Sequence, residues 1–189
     1  KVQGQIVTIS DSVTTLEGNT STQINQMTSK LEKDMLRSSE NLISLKNITA
    51  TSSGKVILND DRSFFTFNKV SSDSYFNIPL DFSQFQVGTR LTYSFNAKSN
   101  FVLKDILLSQ STLLKVVKVL VGDVEQTNIT DSKIIFNTSL AVNKYHPITI
   151  LFEVKSLNSG SVQFGTSFNG VDKTFNVDIQ YSMLSVGSK

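Results

Sequence analysis

The chain has 189 residues, a formal net charge of +2 and neither cysteine nor tryptophan. That length suits one domain of ordinary size plus an appendage, or two very small domains. The missing cysteines exclude disulfides, thiolate metal sites and cysteine nucleophiles, and so small a net charge gives no basic footprint for nucleic acid.

Residues 5–35, QIVTISDSVTTLEGNTSTQINQMTSKLEKDM, form a polar thread with apolar residues at steps of three and four. Ile6, Ile9, Val13 and Leu16 occupy the a and d positions of a heptad. The same register continues through Thr20, Gln23 and Met27, while a second one runs through Ile24, Met27 and Leu31. Gly18 and Asn19 are poor helix residues, and Ser21 or Thr22 can cap a new start. The expectation is a helical stalk or linker over residues 1–45, with a break or register shift near 18–22. So sparse a seam cannot hold a lone helix. β-Branched a positions with polar insertions suit a parallel coiled coil, expected to be a homotrimer joined through Ile6, Ile9, Val13, Leu16, Met27 and Leu31. A disordered linker and a single helix lying along its own domain are the alternatives.

From about Asn47 the period changes to two. Strands are expected at Lys55–Leu58, Ser63–Val70, Tyr75–Phe82, Thr89–Lys98, Phe101–Leu108, Leu113–Val121, Lys133–Val142, His146–Ser156, Ser161–Phe168 and Lys173–Leu184. YFNIPLDF places Phe76, Ile78, Leu80 and Phe82 on one face, and LTYSFNAK does the same with Leu91, Tyr93, Phe95 and Ala97. TFNVDIQYSM groups Phe175, Val177, Ile179, Tyr181 and Met183. Such alternation means sheets with one buried and one wet face. LLKVVKVLV is more continuous: a strand buried on both sides or a helix, with its valines favouring strand. The fold class is therefore mainly β, a helical or coiled-coil stalk followed by a β-sandwich over 46–189. No apolar run is long enough to cross a bilayer, and the first residues, starting at Lys1, lack the apolar core of a signal peptide.

Chemistry is sparse. The single histidine, His146, precludes a multi-histidine metal site, and no phosphate-binding glycine motif occurs. Asp81, Glu153 and Asp178 fall on strands, and a pair facing across a cleft would suit glycoside hydrolysis; solvated carboxylates are the plainer reading. LNDDRS gathers Asn59, Asp60 and Asp61, a plain turn with a structural calcium ion as the alternative. No other cofactor is expected. Binding without catalysis fits better. Tyr75 and Tyr145 fall in turns or at strand ends, where a ring can stack on a sugar. Tyr93 and Tyr181 share a face with Phe95 and Ile179 and are assigned to the core. The candidate saccharide set is Tyr75, Asn96, Lys98, Tyr145, His146 and Gln180.

Three stretches carry a resemblance. TRLTYSFNAKS (89–99), VDIQYSMLSVGSK (177–189) and SENLIS (39–44) resemble the internal, closing and opening segments of jelly-roll, galactose-binding-like carbohydrate modules. Those modules occur in baseplate and tail proteins of siphophages infecting Gram-positive bacteria, often behind a Ser/Thr/Asn-rich heptad thread. The resemblance implies a virion protein acting outside the cell, at the host surface, as a receptor-binding or accessory subunit. Its implied partners are host cell-wall polysaccharide or teichoic acid and other tail proteins, with no nucleic acid or membrane. An assembly module that docks on tail proteins and binds no sugar is the alternative. The matched segments contain no ligand residues of that family.

Overall fold

The computed structural model describes residues 15–16, 19–24, 41–51, 54–59, 64–157, 161–170 and 172–187. The chain divides into two compact units, Lys1–Ser39 and Glu40–Lys189. In the first, residues 15–16 and 19–24 are helical, and so include part of the stretch where the sequence places a break. Thr20 Oγ1 donates to the Leu16 carbonyl at 2.8 Å, four residues back, which satisfies a hydroxyl inside a helix. Leu16 and Ile24 are exposed. Ile6, Ile9, Val13, Met27 and Leu31 lie outside the described residues, and no coiled-coil stalk is shown.

The second unit is built from thirteen described strands. They are β1 (Thr49–Ala50), β2 (Lys55–Leu58), β3 (Phe64–Lys69), β4 (Phe76–Asp81), β5 (Arg90–Ser99), β6 (Leu103–Leu108) and β7 (Leu114–Val121). After them come β8 (Val124–Glu125), β9 (Asn128–Ile129), β10 (Lys133–Leu140), β11 (His146–Val154), β12 (Ser161–Asn169) and β13 (Phe175–Val186). One sheet has the order β1-β4-β12-β6-β10-β9 and the other β2-β3-β13-β5-β11-β7-β8, with every pairing antiparallel. The result is a β-sandwich of jelly-roll character. All ten expected strands are present; the three two-residue strands are too short to leave a periodic signal.

The core is where alternation puts it. Phe76, Ile78, Leu80 and Phe82 are buried, as are Leu91, Tyr93, Phe95 and Ala97. Aromatic rings join the two sheets: Phe65 meets Phe76 edge-on at 5.2 Å between centroids, Phe152 meets Phe164 at 5.4 Å, and Tyr93 meets Phe164 at 5.9 Å. Such pairs contribute about 0.5–1.5 kcal/mol beyond the area they bury. Burial pushes the Tyr93 phenol well up, with the hydroxyls of Ser182 and Thr166 offsetting part of the rise. None of the three hydroxyls has a partner in good hydrogen-bond geometry.

Lys69 is the unusual core member. It points inward from β3, crosses to the other sheet, and donates to the Phe168 carbonyl (2.6 Å), Ser167 Oγ (2.9 Å) and Asn169 Oδ1 (3.4 Å). Burial lowers its pKa, and the charges of Asp105 and Asp73 offset part of that.

Two sequence expectations change. LLKVVKVLV forms β7, but it is not buried on both sides: Lys115 and Lys118 are exposed. Val116 faces Phe152 while Lys118 faces Leu151, so Val117 is an extra residue in a bulge, and the bulge makes the apolar run look continuous. Residues 41–45, grouped with the stalk from the sequence, belong to the sandwich unit. Leu42 N donates to the Leu184 carbonyl (2.7 Å), and Asn41 caps the same stretch of β13 by bonding the Ser182 carbonyl (3.0 Å) and the Leu184 amide (3.0 Å).

Candidate functional site

The six candidate saccharide residues fall in three places. Asn96, Lys98 and Gln180 lie on the outer face of the seven-stranded sheet, on its adjacent strands β5 and β13. Gln180 is directly opposite Asn96, and Asp178 is opposite Lys98. Lys98 Nζ is 3.0 Å from Asp178 Oδ2, and Thr66 Oγ1 donates to Asp178 Oδ1 at 2.7 Å. The Lys98 ammonium also sits 4.8 Å from the centre of the Tyr145 ring, a cation–π contact. The hydrogen bond to Asp178 raises the Lys98 pKa, partial burial works against that, and the Asp178 charge and Tyr145 add to it. Lys98, Asp178 and Tyr145 are thus held in one fixed group.

Moving along β5 from that group, the face turns neutral. Asn96 and Gln180 form one row; Ser94, Met183 and Thr149 form the next. Charge returns at the far end, where Arg90 pairs with Glu153 at 2.7 Å. The middle of the sheet is therefore uncharged, its amides and hydroxyls flanked by the apolar Pro147 opposite Asn96 and Met183 opposite Ser94, and it is bracketed by two ion pairs.

Tyr181 is the residue the sequence reading misplaced. Alternation assigns it to the core with Ile179, yet it is 71% exposed. The cause is a bulge. Gln180 pairs with Asn96 but Met183 pairs with Ser94, so three steps on β13 match two on β5. The extra residue turns Tyr181 outward at φ +52°, a left-handed backbone that a bulky side chain seldom adopts. Ser182 and Leu184 then face inward, in place of Tyr181 and Met183. A signal was present. Counting inward positions forward from Phe175 gives Val177 and Ile179; counting back from Leu184 gives Ser182, and the two phases disagree by one residue.

The other candidates lie elsewhere. His146 is opposite Ala97, whose side chain is buried, so it shares the inner side and lines a cavity at the end of the sandwich. Tyr75 lies at the junction of β1 and β4. Its amide donates to Thr51 Oγ1 at 2.9 Å and its carbonyl accepts from Thr51 N at 2.8 Å; burial and then Asp73 raise its phenol pKa.

The carboxylates do not converge. Asp81 is in the six-stranded sheet, held by Ser83 N and Oγ at 2.9 and 2.6 Å. Asp178 and Glu153 are on the same face but pair with Lys98 and Arg90 at opposite ends of β5. Eight residues of strand separate those ends by roughly 26 Å, far beyond the separation of about 5–10 Å that glycoside hydrolysis uses. Asp60 and Asp61 of the calcium alternative lie outside the described residues. Asn59 closes the β2–β3 turn by accepting from Phe64 N at 2.9 Å. Among the described residues no cluster of three or more His, Asp or Glu is placed to hold a metal, and no helix is long and apolar enough to cross a membrane.

No family model matches the chain, and no curated protein matches it. Solved structures do. The xylan-binding CBM22-1 domain of Paenibacillus barcinonensis Xyn10C aligns with a TM-score of 0.50 and 10% identity, over 81% of this chain and 98% of that one. The CBM22-1–GH10 modules of Clostridium thermocellum Xyn10B, complexed with xylohexaose, align with a TM-score of 0.49 and 11% identity, over 78% of this chain; the chain spans 27% of that longer one. The tripod from the baseplate of bacteriophage Tuc2009 aligns with a TM-score of 0.43 and 12% identity, over 79% of this chain and 56% of that one. At such identities the likeness is one of fold: a jelly-roll sandwich of the kind found in carbohydrate-binding modules.

Proposed function

We propose that the sandwich is a non-catalytic saccharide-binding module whose ligand lies across the outer face of the seven-stranded sheet. One observation carries this reading: an uncharged surface of amides and hydroxyls, interrupted by Pro147 and Met183, with a tyrosine ring turned out beside it by a bulge. Amides and hydroxyls supply donors and acceptors in the arrangement sugar hydroxyls require. A planar ring covers the C–H face of a sugar at small cost in conformational entropy. Asn96 and Gln180 bond the ligand, Tyr181 stacks on it, and the Lys98–Tyr145 group bounds it. Counted along and across the strands, Tyr145 and Tyr181 stand roughly 14 Å apart, a span for a short oligosaccharide.

The setting rests on the sequence resemblance. We assign the module to the tail baseplate or fibre of a siphophage infecting Gram-positive bacteria, acting at the host surface on cell-wall polysaccharide or teichoic acid. Residues 1–39 join three copies through Ile6, Ile9, Val13, Leu16, Met27 and Leu31, and Leu16 is exposed in the single chain. Joining multiplies a weak site by effective concentration. The test is a host cell-wall pull-down with the full chain, beside solution mass with and without residues 1–39, a cut that leaves the sandwich unit whole. Wall binding, with a trimer that becomes a monomer on truncation, is expected. A full-length monomer overturns the stalk. A wall-inert trimer that captures other tail proteins overturns the saccharide reading in favour of an assembly module.

A further inference from the structure

We infer a second ligand site, separate from the sheet face: a cavity of about 260 Å³ at the end of the sandwich, fitted for a neutral sugar bearing an acetamido group. Its origin is a mismatch between two strands. Ile135 pairs with Asp105 and Leu140 with Leu103, so five steps on β10 match two on β6. Residues 136–139 are left without a partner on β6, and the cavity lies against 137–139.

The walls are pre-set. Gln126 is buried, accepts from Asn137 N at 2.8 Å and donates to the Val124 carbonyl at 2.9 Å. Asn137 Nδ2 donates to the Glu125 carbonyl (3.0 Å), while its Oδ1 accepts from Thr127 N (3.2 Å) and Oγ1 (3.1 Å). These two amides are spent on holding the β8–β9 segment against β10. What remains for a ligand is Thr138, Ser139 and His146 on one side and Val121, Val124 and Leu140 on the other.

The chemistry of that remainder selects the ligand. His146 Nε2 lies 3.1 Å from the Ala141 carbonyl, which can only accept. Nε2 therefore carries the proton, and in the neutral ring Nδ1 is an acceptor in need of an N–H or O–H. The Thr138 and Ser139 hydroxyls are exposed and engage no other described residue. No charged side chain lines the cavity, which disfavours an ion. The apolar wall takes a methyl group. An acetamido sugar supplies all three at once: an N–H for the imidazole, a carbonyl and hydroxyls for Thr138 and Ser139, and a methyl for Val121 and Leu140. The cavity is slightly smaller than pockets for drug-sized ligands, about 300–1,000 Å³, and suits one sugar ring.

The test is an amide-shift titration of the full chain with N-acetylglucosamine and, separately, glucose. N-Acetylglucosamine is expected to shift the amides of residues 121, 138–141 and 146 saturably, with glucose weaker by roughly tenfold for want of the N–H and methyl. Ser139→Trp, which fills the cavity from an exposed position, abolishes the shifts; His146→Leu weakens them; Tyr181→Ala leaves them unchanged. Because Tyr181→Ala addresses only the sheet face, the two sites fail or succeed separately. If Ser139→Trp does not fold, His146→Leu decides. No shifts, equal response to both sugars, or shifts that survive these cavity variants would overturn the inference.

Discussion

Lys69 offers the sharpest test of what holds the two sheets together. It is 1% exposed and carries a charge, yet its three acceptors all come from β12. Replacing it with alanine removes three buried methylenes, about 2.4 kcal/mol at ~0.8 each. It also deprives the Phe168 carbonyl of its 2.6 Å bond, at about 1–3 kcal/mol. Ending the burial of the ammonium offsets that lost bond, which leaves the methylenes and the cavity they vacate, so Lys69→Ala is expected to lower stability by about 2–5 kcal/mol. Lys69→Met keeps the volume, and in it too the lost bond is set against the end of the ammonium's burial, a cost of several kcal/mol. The two changes offset, and Lys69→Met should fall within about 1 kcal/mol of the parent. Urea unfolding with unchanged slope reads both values. Stability against pH adds a second readout. The folded Lys69 pKa is lowered by burial, so between that value and the ordinary lysine value of about 10.4 the unfolded chain binds more protons. Parent stability gains from Lys69 as pH rises through that window, and Lys69→Met lacks the gain. A Met variant as damaged as the Ala variant would refute the reasoning and show that the charge, through Asp105 and Asp73, is what stabilises.

Three further outcomes are expected. Tyr93→Phe removes a buried hydroxyl with no well-aligned partner, so thermal unfolding should show unchanged stability or a gain of up to about 1 kcal/mol; a loss above that would mean Thr166 or Ser182 bonds it. Asp131 is disfavoured as an anion by partial burial, but its bonds to Lys155 (2.8 Å) and Val116 N (2.9 Å), with the charges of Lys155 and Lys115, outweigh that and lower its pKa. Its contribution is present above the unfolded value of about 3.9 and lost as pH falls through the folded one; Asp131→Asn should flatten that part of the acid transition while costing under about 1 kcal/mol at neutral pH. Gly165→Ala places a Cβ 2.7 Å from Ser109 Oγ and 2.8 Å from Asn77 Oδ1. Since Ser109 Oγ already accepts from Gly165 N at 2.6 Å, the crowding should cost about 1–3 kcal/mol by urea unfolding.

The sandwich was legible because a period of two survives wherever a sheet has one wet face. Phe76 to Phe82 and Leu91 to Ala97 needed nothing more. What escaped depends on pairing between strands, which one strand's pattern does not encode. The bulge at Tyr181 moved an aromatic residue from the assigned core to the surface. Pairing of β11 with β5 sets His146 opposite the buried Ala97, which makes a candidate saccharide residue a cavity wall. Lys69 sits in the same phase as Phe65 and Phe67, but nothing in a lysine announces a seat among three acceptors on another sheet. The outer face was partly legible: Asn96, Lys98 and Gln180 alternate with core residues, and antiparallel pairing then places them together.

The account turns on the face that carries Tyr181. An amide-shift titration of the isotope-labelled chain with soluble host cell-wall saccharide tests it most directly. Shifts centred on residues 94–98 and 178–181, weakened at least roughly tenfold by Tyr181→Ala with the fold intact, are predicted. Shifts confined to the six-stranded sheet, or an affinity indifferent to Tyr181→Ala, would contradict it.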